Sequence, residues 1–162
     1  MYGIKINKMK NPNFATSLQE IIDVLCDARK YNWLLSNYEC PSIYPPEQIP
    51  RDLDFVWLTG DELVCNLADD PPFHWCVATA YAKNILKEDV LQHPLPVADG
   101  CEVFWQPEIA LQNPLAEIEI IMWDASYVFI LSKSQMIIDE YAKEYPVSED
   151  LATYNRRNPY KG

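Results

Sequence analysis

The first thirty residues pass from an alternating pattern of apolar and polar positions to a helical one. In YGIKI (2–6), the two isoleucines fall on the same side of an extended chain, which predicts a short strand. Over 17–29 the apolar residues recur three and four positions apart, and Ser17 and Glu20 have the spacing of a capping box. This region therefore predicts a strand followed by a helix with one apolar face.

The middle of the chain predicts short strands separated by turn-forming segments. One strand is expected over 31–40, which is rich in aromatic and apolar residues. It should end before the next segment, because the four prolines there interrupt regular strand pairing. The pattern DFVWLTGDELVCN (54–66) predicts a hairpin whose turn contains Gly60. A further strand is expected over 75–81, where the spacing of the alanines would also suit a helix, and another at CEVFW (101–105).

The last third of the chain has the clearest pattern. AEIEIIMW (116–123) and SYVFILS (126–132) are two apolar runs that predict paired strands, and an S-x-x-Q capping pattern then predicts a helix over 133–145. Asp124 lies between the strands, where a turn needs a residue that tolerates unusual dihedral angles. Ser126 has no neighbouring base and no G-x-S-x-G motif, so we interpret Asp124 as a turn residue rather than part of a catalytic site.

These elements predict an α+β fold with a mainly antiparallel sheet. The two principal helices, at about 17–29 and 133–145, are expected to pack on one face, and the other face is expected to be acidic and solvated. With 49% hydrophobic and 23% charged residues, the composition is that of a globular protein rather than a disordered one. We therefore expect a single domain over 1–162, with a short basic tail from about 152.

The chain carries none of the sequence features of a membrane or secreted protein. No apolar run approaches the roughly 20 residues of a membrane helix, and the opening lacks the apolar region of a signal peptide. The cysteines are odd in number and scattered, so we expect them to be reduced: they are Cys26, Cys40, Cys65, Cys76 and Cys101. These features predict a cytoplasmic protein without membrane association.

Negative charge is concentrated in the middle of the chain. The formal net charge is −11, and residues 31–132 hold 16 acidic side chains against three basic ones, a net of −13. Such a field repels the phosphate backbone of nucleic acids and attracts cationic partners over long range. We therefore expect no nucleic-acid binding and a basic protein as partner, with solubility alone as the alternative explanation of the charge.

Several acidic side chains are candidates for the surface that meets this partner. Two of them, Glu117 and Glu119, alternate with isoleucines, so they are expected on one face of a strand. Paired carboxylates can also hold Mg²⁺. The nuclease arrangement of such carboxylates would also need a nearby lysine, and none lies near them in the sequence, so a solvated sheet face is the preferred interpretation. The full set of predicted partner-binding residues is Glu117, Glu119, Asp124, Asp61, Glu62, Asp69 and Asp70.

An enzyme would have to use the few residues with suitable chemistry. His74 and Cys76 are two positions apart, so on a strand they would share a face and could bind a metal or form a Cys–His pair. Cys101 follows a glycine, but the acidic surroundings disfavour its thiolate. The chain has no C-x-x-C motif, and its four glycines cannot form a phosphate-binding loop. We therefore assign no catalytic residue, metal or cofactor.

Five stretches carry a resemblance to a known family. YGIKI (2–6), YNWLL (31–35), DLDFVWL (52–58), the terminal hairpin with its helix, and YPVSEDLATYN (145–155) resemble a small bacterial family of standalone single-domain proteins of unknown function. The resemblance implies the extent of the domain and a bacterial origin, and it assigns no chemistry. In size and acidity the chain is also similar in character, although not in any shared motif, to immunity proteins of bacterial toxin systems.

The leading hypothesis is a non-catalytic acidic binding protein, in the specific form of an immunity or inhibitor protein that neutralises a basic bacterial toxin. One alternative is a small cytosolic enzyme with a Cys/His or metal site around His74 and Cys76. Another alternative is a structural or regulatory adaptor that binds a cellular protein.

Overall fold

The computed structural model describes residues 1–7, 10, 17–25, 27–39, 54–67 and 73–159. The strands are β1 (Tyr2–Asn7), β2 (Tyr31–Glu39), β3 (Phe55–Thr59), β4 (Trp75–Ala82), β5 (Ile118–Trp123), β6 (Tyr127–Ser132) and β7 (Glu149–Asp150). The α-helices are α1 (Leu18–Asp23), α2 (Gly60–Asn66), α3 (Lys87–Val90), α4 (Gln135–Glu144) and α5 (Leu151–Arg157). No described helix has the length and apolar character needed to cross a lipid bilayer.

The described strands form one sheet in the order β3-β2-β4-β5-β6-β1-β7, and every neighbouring pair is antiparallel. The prediction of an α+β fold with a mainly antiparallel sheet is confirmed. The strands predicted over 2–6, 31–40, 75–81 and the two terminal runs are all present. Alternation in the first and apolar or aromatic runs in the others were sufficient, because each strand buries side chains on the sheet.

The turn between β5 and β6 has the conformation that the sequence suggested. Asp124 and Ala125 have φ angles of 49° and 48°, in the left-handed region, and the amide of Ser126 donates to the carbonyl of Trp123 at 3.0 Å. Aspartate tolerates this region better than most residues, whereas alanine is strained there. Asp124 is therefore a turn residue, as predicted.

The predicted hairpin over 54–66 is wrong after Thr59, because the chain continues as helix α2 rather than as a second strand. The Thr59 hydroxyl accepts from the Glu62 amide, and the Glu62 carboxylate accepts from the Thr59 amide, which completes a capping box. Gly60 is needed for close packing rather than for a turn: a Cβ at this position would lie 2.5 Å from the Cα of Arg29.

Other predicted elements differ in length or type. Helix α1 ends at Asp23, and the chain then forms a separate 3₁₀ turn at Ala28–Lys30, so the predicted helix over 17–29 is divided. The predicted strand over 101–105 is instead a 3₁₀ turn at Val103–Trp105. The predicted tail from about 152 falls largely within α5.

One face of the sheet is covered by helices. Side chains of α1, α2 and α4 pack in a common cluster with apolar residues of the strands, among them Ile4, Ile6, Trp33, Leu35, Ile120 and Ile130. The hydroxyl of Tyr141 in α4 donates to the carbonyl of Ile21 in α1 at 2.9 Å, which joins these two helices directly.

The opposite face is also covered, so the predicted solvated acidic face is wrong. Phe104 and Trp105, from the segment that connects β4 to β5, pack on Val77, Ile121 and Phe129 of the sheet. Leu151 of α5 belongs to the same cluster, and Asn155 donates from its Nδ2 to two carbonyls of the connecting segment at 2.8 and 2.9 Å. The long β4–β5 connection and the C-terminal helix thus replace solvent on this face.

Candidate functional site

An open cleft of about 460 Å³ lies at the end of the sheet where β2 ends and β3 and β4 begin. It receives residues from four separate parts of the described chain: the end of β2, the beginning of β3, the beginning of β4, and the β4–β5 connection. The lining residues are Asn37, Tyr38, Glu39, Asp54, Trp75, Leu95, Pro96, Val97 and Asp99.

A local irregularity in β2 shapes this cleft. The register between β2 and β4 shifts between Ser36 and Glu39, as in a β-bulge, and Asn37 has a φ of 45°. The Oδ1 atom of Asn37 accepts from the backbone amides of Ala98 and Asp99 at 2.6 and 2.8 Å. The bulge therefore turns a polar side chain toward the β4–β5 connection and attaches that connection to the sheet.

Residues 95–99 form one wall of the cleft, which we call the cleft wall. The Ser36 hydroxyl donates to the Pro96 carbonyl at 2.6 Å. The side-chain amide of Gln112 pairs with the backbone of Val97: Nε2 donates to the carbonyl at 3.1 Å, and Oε1 accepts from the amide at 2.9 Å. The cleft wall has no regular secondary structure, so these hydrogen bonds are what fix its position.

The cleft is strongly negative. Glu39, Asp54 and Asp99 are exposed, and no ion pair between described residues includes any of them. None of the described lining residues is a lysine, arginine or histidine. A cation about 5 Å from one carboxylate gains about 1 kcal/mol in water, so three carboxylates around one cleft attract a cation together.

Aromatic side chains line the same cleft. Trp75 and Tyr38 both contribute to it, and Trp75 packs edge-on against Trp123, with ring centroids 5.3 Å apart and an interplanar angle of 84°. The face of an aromatic ring attracts ammonium and guanidinium groups through its quadrupole. Together with the three carboxylates, these aromatic residues suit the cleft to an organic cation. No three His, Cys, Asp or Glu side chains of the described residues are grouped as metal ligands.

Three of the predicted partner-binding residues lie at the other end of the sheet. The Asp61 carboxylate is 2.9 Å from Nε of Arg29, and the Glu117 carboxylate is 3.6 Å from Nζ of Lys133. Glu62 belongs to the capping box of α2, where its hydrogen bonds to Thr59 lower the pKa of its carboxyl group. These carboxylates already have partners within the protein.

Asp124 lies near the cleft, in the turn that follows β5. The amide of the neighbouring Ala125 donates to the carbonyl of His74 at 3.0 Å, and the amide of His74 donates to the carbonyl of Glu39 at 2.8 Å. Backbone hydrogen bonds thus connect this exposed turn to the cleft. The predicted residues Asp69 and Asp70 lie outside the described residues.

Glu119 is fully buried, so its predicted exposure on a solvated face is wrong. Its carboxylate accepts two hydrogen bonds from Gln112, at 2.8 Å from the backbone amide and at 2.6 Å from Nε2. Burial raises the pKa of Glu119 to about 7, against the opposing effect of these two hydrogen bonds. Glu119 thus supports the Gln112 side chain that holds the cleft wall.

The residues of the enzyme alternative lie in different surroundings. Cys76 is fully buried in the core, whereas His74 is exposed just before the first residue of β4. Cys101 is partly buried, and its pKa is raised mainly by burial, with smaller contributions from Glu119 and Glu102. The expectation that Cys101 is not a thiolate agrees with this pKa, although burial rather than the acidic surroundings is the main cause.

Glu39 and Asp99 were not singled out in the sequence, because nothing in their local pattern distinguishes them from other exposed acids. Their cleft exists only because the β2 bulge and the β4–β5 connection meet. The one local indication of the bulge is Asn37, a polar residue at the end of an apolar strand.

In comparisons with known proteins, the chain matches no family model, no curated protein and no solved structure.

Proposed function

We propose that the protein is a non-catalytic acidic binding protein whose cleft accepts an arginine or lysine side chain of a basic protein partner. In its specific form, this is an immunity or inhibitor role against a basic bacterial toxin, carried out in the bacterial cytoplasm. The observation that carries the proposal is the group of three exposed carboxylates, Glu39, Asp54 and Asp99, around a cleft that also contains Tyr38 and Trp75.

The physical support is the agreement between local and overall electrostatics. The net charge of −11 attracts a basic protein from a distance, and the cleft offers a place where one of its cationic groups can be enclosed. We also propose that the two principal helices, α1 and α4, pack on one face of the sheet and support it. Binding then takes place on the opposite side of the sheet, where Trp75 and Leu95 pack.

The cleft is tested with a small cation, N-acetylarginine amide, titrated at low salt while backbone amide shifts are followed by NMR. The control ligand is N-acetylcitrulline amide, which has nearly the same shape and no charge. Saturable shifts at the cleft with the first ligand and none with the second are expected. Equal binding of both ligands, or shifts that are not located at the cleft, would refute a cation site.

Charge-neutralising variants locate the site more closely. Glu39→Gln, Asp54→Asn and Asp99→Asn are each expected to weaken binding roughly three- to fivefold at low salt, from about 1 kcal/mol per carboxylate. The matched control is Glu144→Gln, which removes the same charge from an exposed position on α4. If the control weakens binding as much as the three cleft variants, general charge rather than the cleft attracts the cation.

The partner is sought by affinity capture from host lysate with the wild-type protein and with the triple cleft variant as parallel baits. A basic protein that binds the wild type, is lost at high salt and does not bind the variant supports the proposal. If that protein is toxic when expressed alone and harmless with the wild type, the immunity role is established. A partner that binds both baits equally would place the interface elsewhere.

A further inference from the structure

Glu119 is linked to the cleft wall through a single side chain. Gln112 donates two hydrogen bonds to the buried carboxylate, and its side-chain amide also pairs with the backbone of Val97. Val97 belongs to the cleft lining. The geometry therefore places a titratable group two hydrogen-bonding steps from the surface where a ligand would bind.

Two buried hydroxyl groups accompany this carboxylate. Thr79 of β4 is directly opposite Glu119 of β5, and Tyr81 follows on the same face of β4. The Oγ1 atom of Thr79 and the hydroxyl of Tyr81 are buried near each other, and neither bonds to the Glu119 carboxylate. The hydrogen bonds of this carboxylate among the described residues therefore all come from Gln112.

Protonation of Glu119 would weaken its hold on Gln112. A carboxylate only accepts hydrogen bonds, which matches the two donors of Gln112. Hydrogen bonds to an ionised carboxylate are roughly twice as strong as those between neutral groups, and this advantage is lost when the carboxylate takes a proton from water.

We propose that Glu119 is a proton-controlled latch on the cleft, an inference that rests on the proposed binding function. In the ionised state, the carboxylate holds Gln112 and thereby fixes the cleft wall. In the protonated state, the hydrogen bonds from Gln112 are weaker because the carboxyl group is neutral, so the cleft wall is held less firmly. A cationic ligand binds the ionised state more tightly.

The surroundings of Glu119 allow its carboxyl group to gain or lose a proton near neutral pH. Burial raises its pKa to about 7, and no ion pair of the described residues includes it. The titratable groups that face it are Tyr81, from β4, and Cys101, from the connecting segment, and burial raises the pKa of both. Both groups therefore stay neutral where Glu119 changes its charge, and from β6 the residue opposite is the apolar Leu131.

The proposed latch predicts that cation binding to the cleft and protonation of Glu119 affect each other. Affinity for a cation rises as the pH increases through the pKa of Glu119, and a bound cation lowers that pKa by the reciprocal effect. The dependence belongs to the buried group if it disappears in Glu119→Gln.

The first test uses the free protein, with the amide resonances of Val97 and Gln112 followed by NMR from pH 5.5 to 8.5. His74 and His93 are replaced by glutamine in all samples, so that no imidazole contributes to the shifts. Both amides are expected to shift with one midpoint near pH 7, and the transition should disappear in Glu119→Gln. If neither amide shifts in the protein that keeps Glu119, the latch is refuted, whatever the cleft binds.

A second variant keeps the carboxyl group in place, so the test does not depend on the folding of Glu119→Gln. Gln112→Met removes the side-chain donor to the carboxylate, which destabilises the ionised state and should move the midpoint seen at the amide of residue 112 up by roughly half to one pH unit. Gln106→Met, the same change at an exposed position, is the matched control and should leave the midpoint unchanged. Equal midpoints in all three proteins would refute the role of Gln112.

Ligand binding separates this inference from the proposed function. N-acetylarginine amide should bind roughly three- to tenfold more tightly at pH 8 than at pH 6 in the unsubstituted protein, and equally at both values in Glu119→Gln. If the probe binds with no such difference, the latch is refuted and the cleft function stands. If the amides titrate and the probe does not bind at any pH, the cleft function is refuted and the connection from Glu119 to Val97 stands.

Discussion

The burial of Glu119 should make the stability of the protein depend on pH. The pKa of this carboxyl group is about 7 in the folded protein and about 4.5 when the chain is unfolded and the group is in water. The difference of about 2.5 corresponds to roughly 3 kcal/mol, at ~1.4 kcal/mol for each pH unit. The perturbation that isolates this contribution is Glu119→Gln, which keeps the size of the side chain and removes its titration.

The direction of the effect follows from which state binds more protons. Between pH 4.5 and pH 7 the folded protein keeps a proton on Glu119 that the unfolded chain releases, so the free energy of unfolding falls as the pH rises. The contribution is fully present below the unfolded pKa and lost once the pH exceeds the folded one. Most paired acidic groups show the opposite behaviour, because their folded pKa is lowered.

The assay is urea unfolding of both proteins at several pH values between 5.5 and 8. The lower limit stays away from the isoelectric point, pI ≈ 4.5, where solubility is poor. Relative to Glu119→Gln, the wild type should lose about 2 kcal/mol over this range, since part of the transition lies below pH 5.5. Any constant effect of the substitution cancels in this comparison. A difference between the two proteins that does not change with pH would refute the argument that burial controls this carboxyl group.

Two further predictions concern residues of the fold. Ala125→Gly should stabilise the protein by about 0.5–1 kcal/mol, because Ala125 has a φ of 48°, and a lower urea midpoint for the variant would contradict this. Asn155→Ala should destabilise it by ~2–3 kcal/mol in thermal or urea unfolding, because two carbonyls of the β4–β5 connection lose their donor in a buried position. The control is Asn158→Ala, which removes an exposed hydrogen bond to the Tyr154 carbonyl and should lower the free energy of unfolding by well under 1 kcal/mol. If both variants lose the same free energy of unfolding, α5 does not anchor the β4–β5 connection.

The proposed latch also has a thermodynamic consequence. The ionised carboxylate is the less stable form in the interior, and it is the form that holds the cleft wall. The cleft is therefore organised at the expense of some stability, as is common for functional sites. A stabilising substitution at Glu119 is expected to loosen the site that it supports.

The sequence was sufficient where local pattern decides structure. Alternation and short apolar runs predicted the strands of the sheet, and the turn at Asp124 followed from the position of the residue between two apolar runs. The local pattern is misleading at 54–66, where Gly60 suggests a turn although Thr59 and Glu62 form a capping box. The reason for glycine there is the backbone of Arg29, which packs against it from a distant part of the chain.

The sequence by itself determined the acidic charge, the main strands and which side chains can share a strand face. Only the tertiary structure decided the state of each carboxylate: Asp61 is paired, Glu119 is buried with a raised pKa, and Asp99 is exposed in the cleft. The physical reason is that burial and charge pairing act through space. They depend on how the β4–β5 connection covers the sheet and meets the bulge of β2, and no short stretch of the chain encodes that contact.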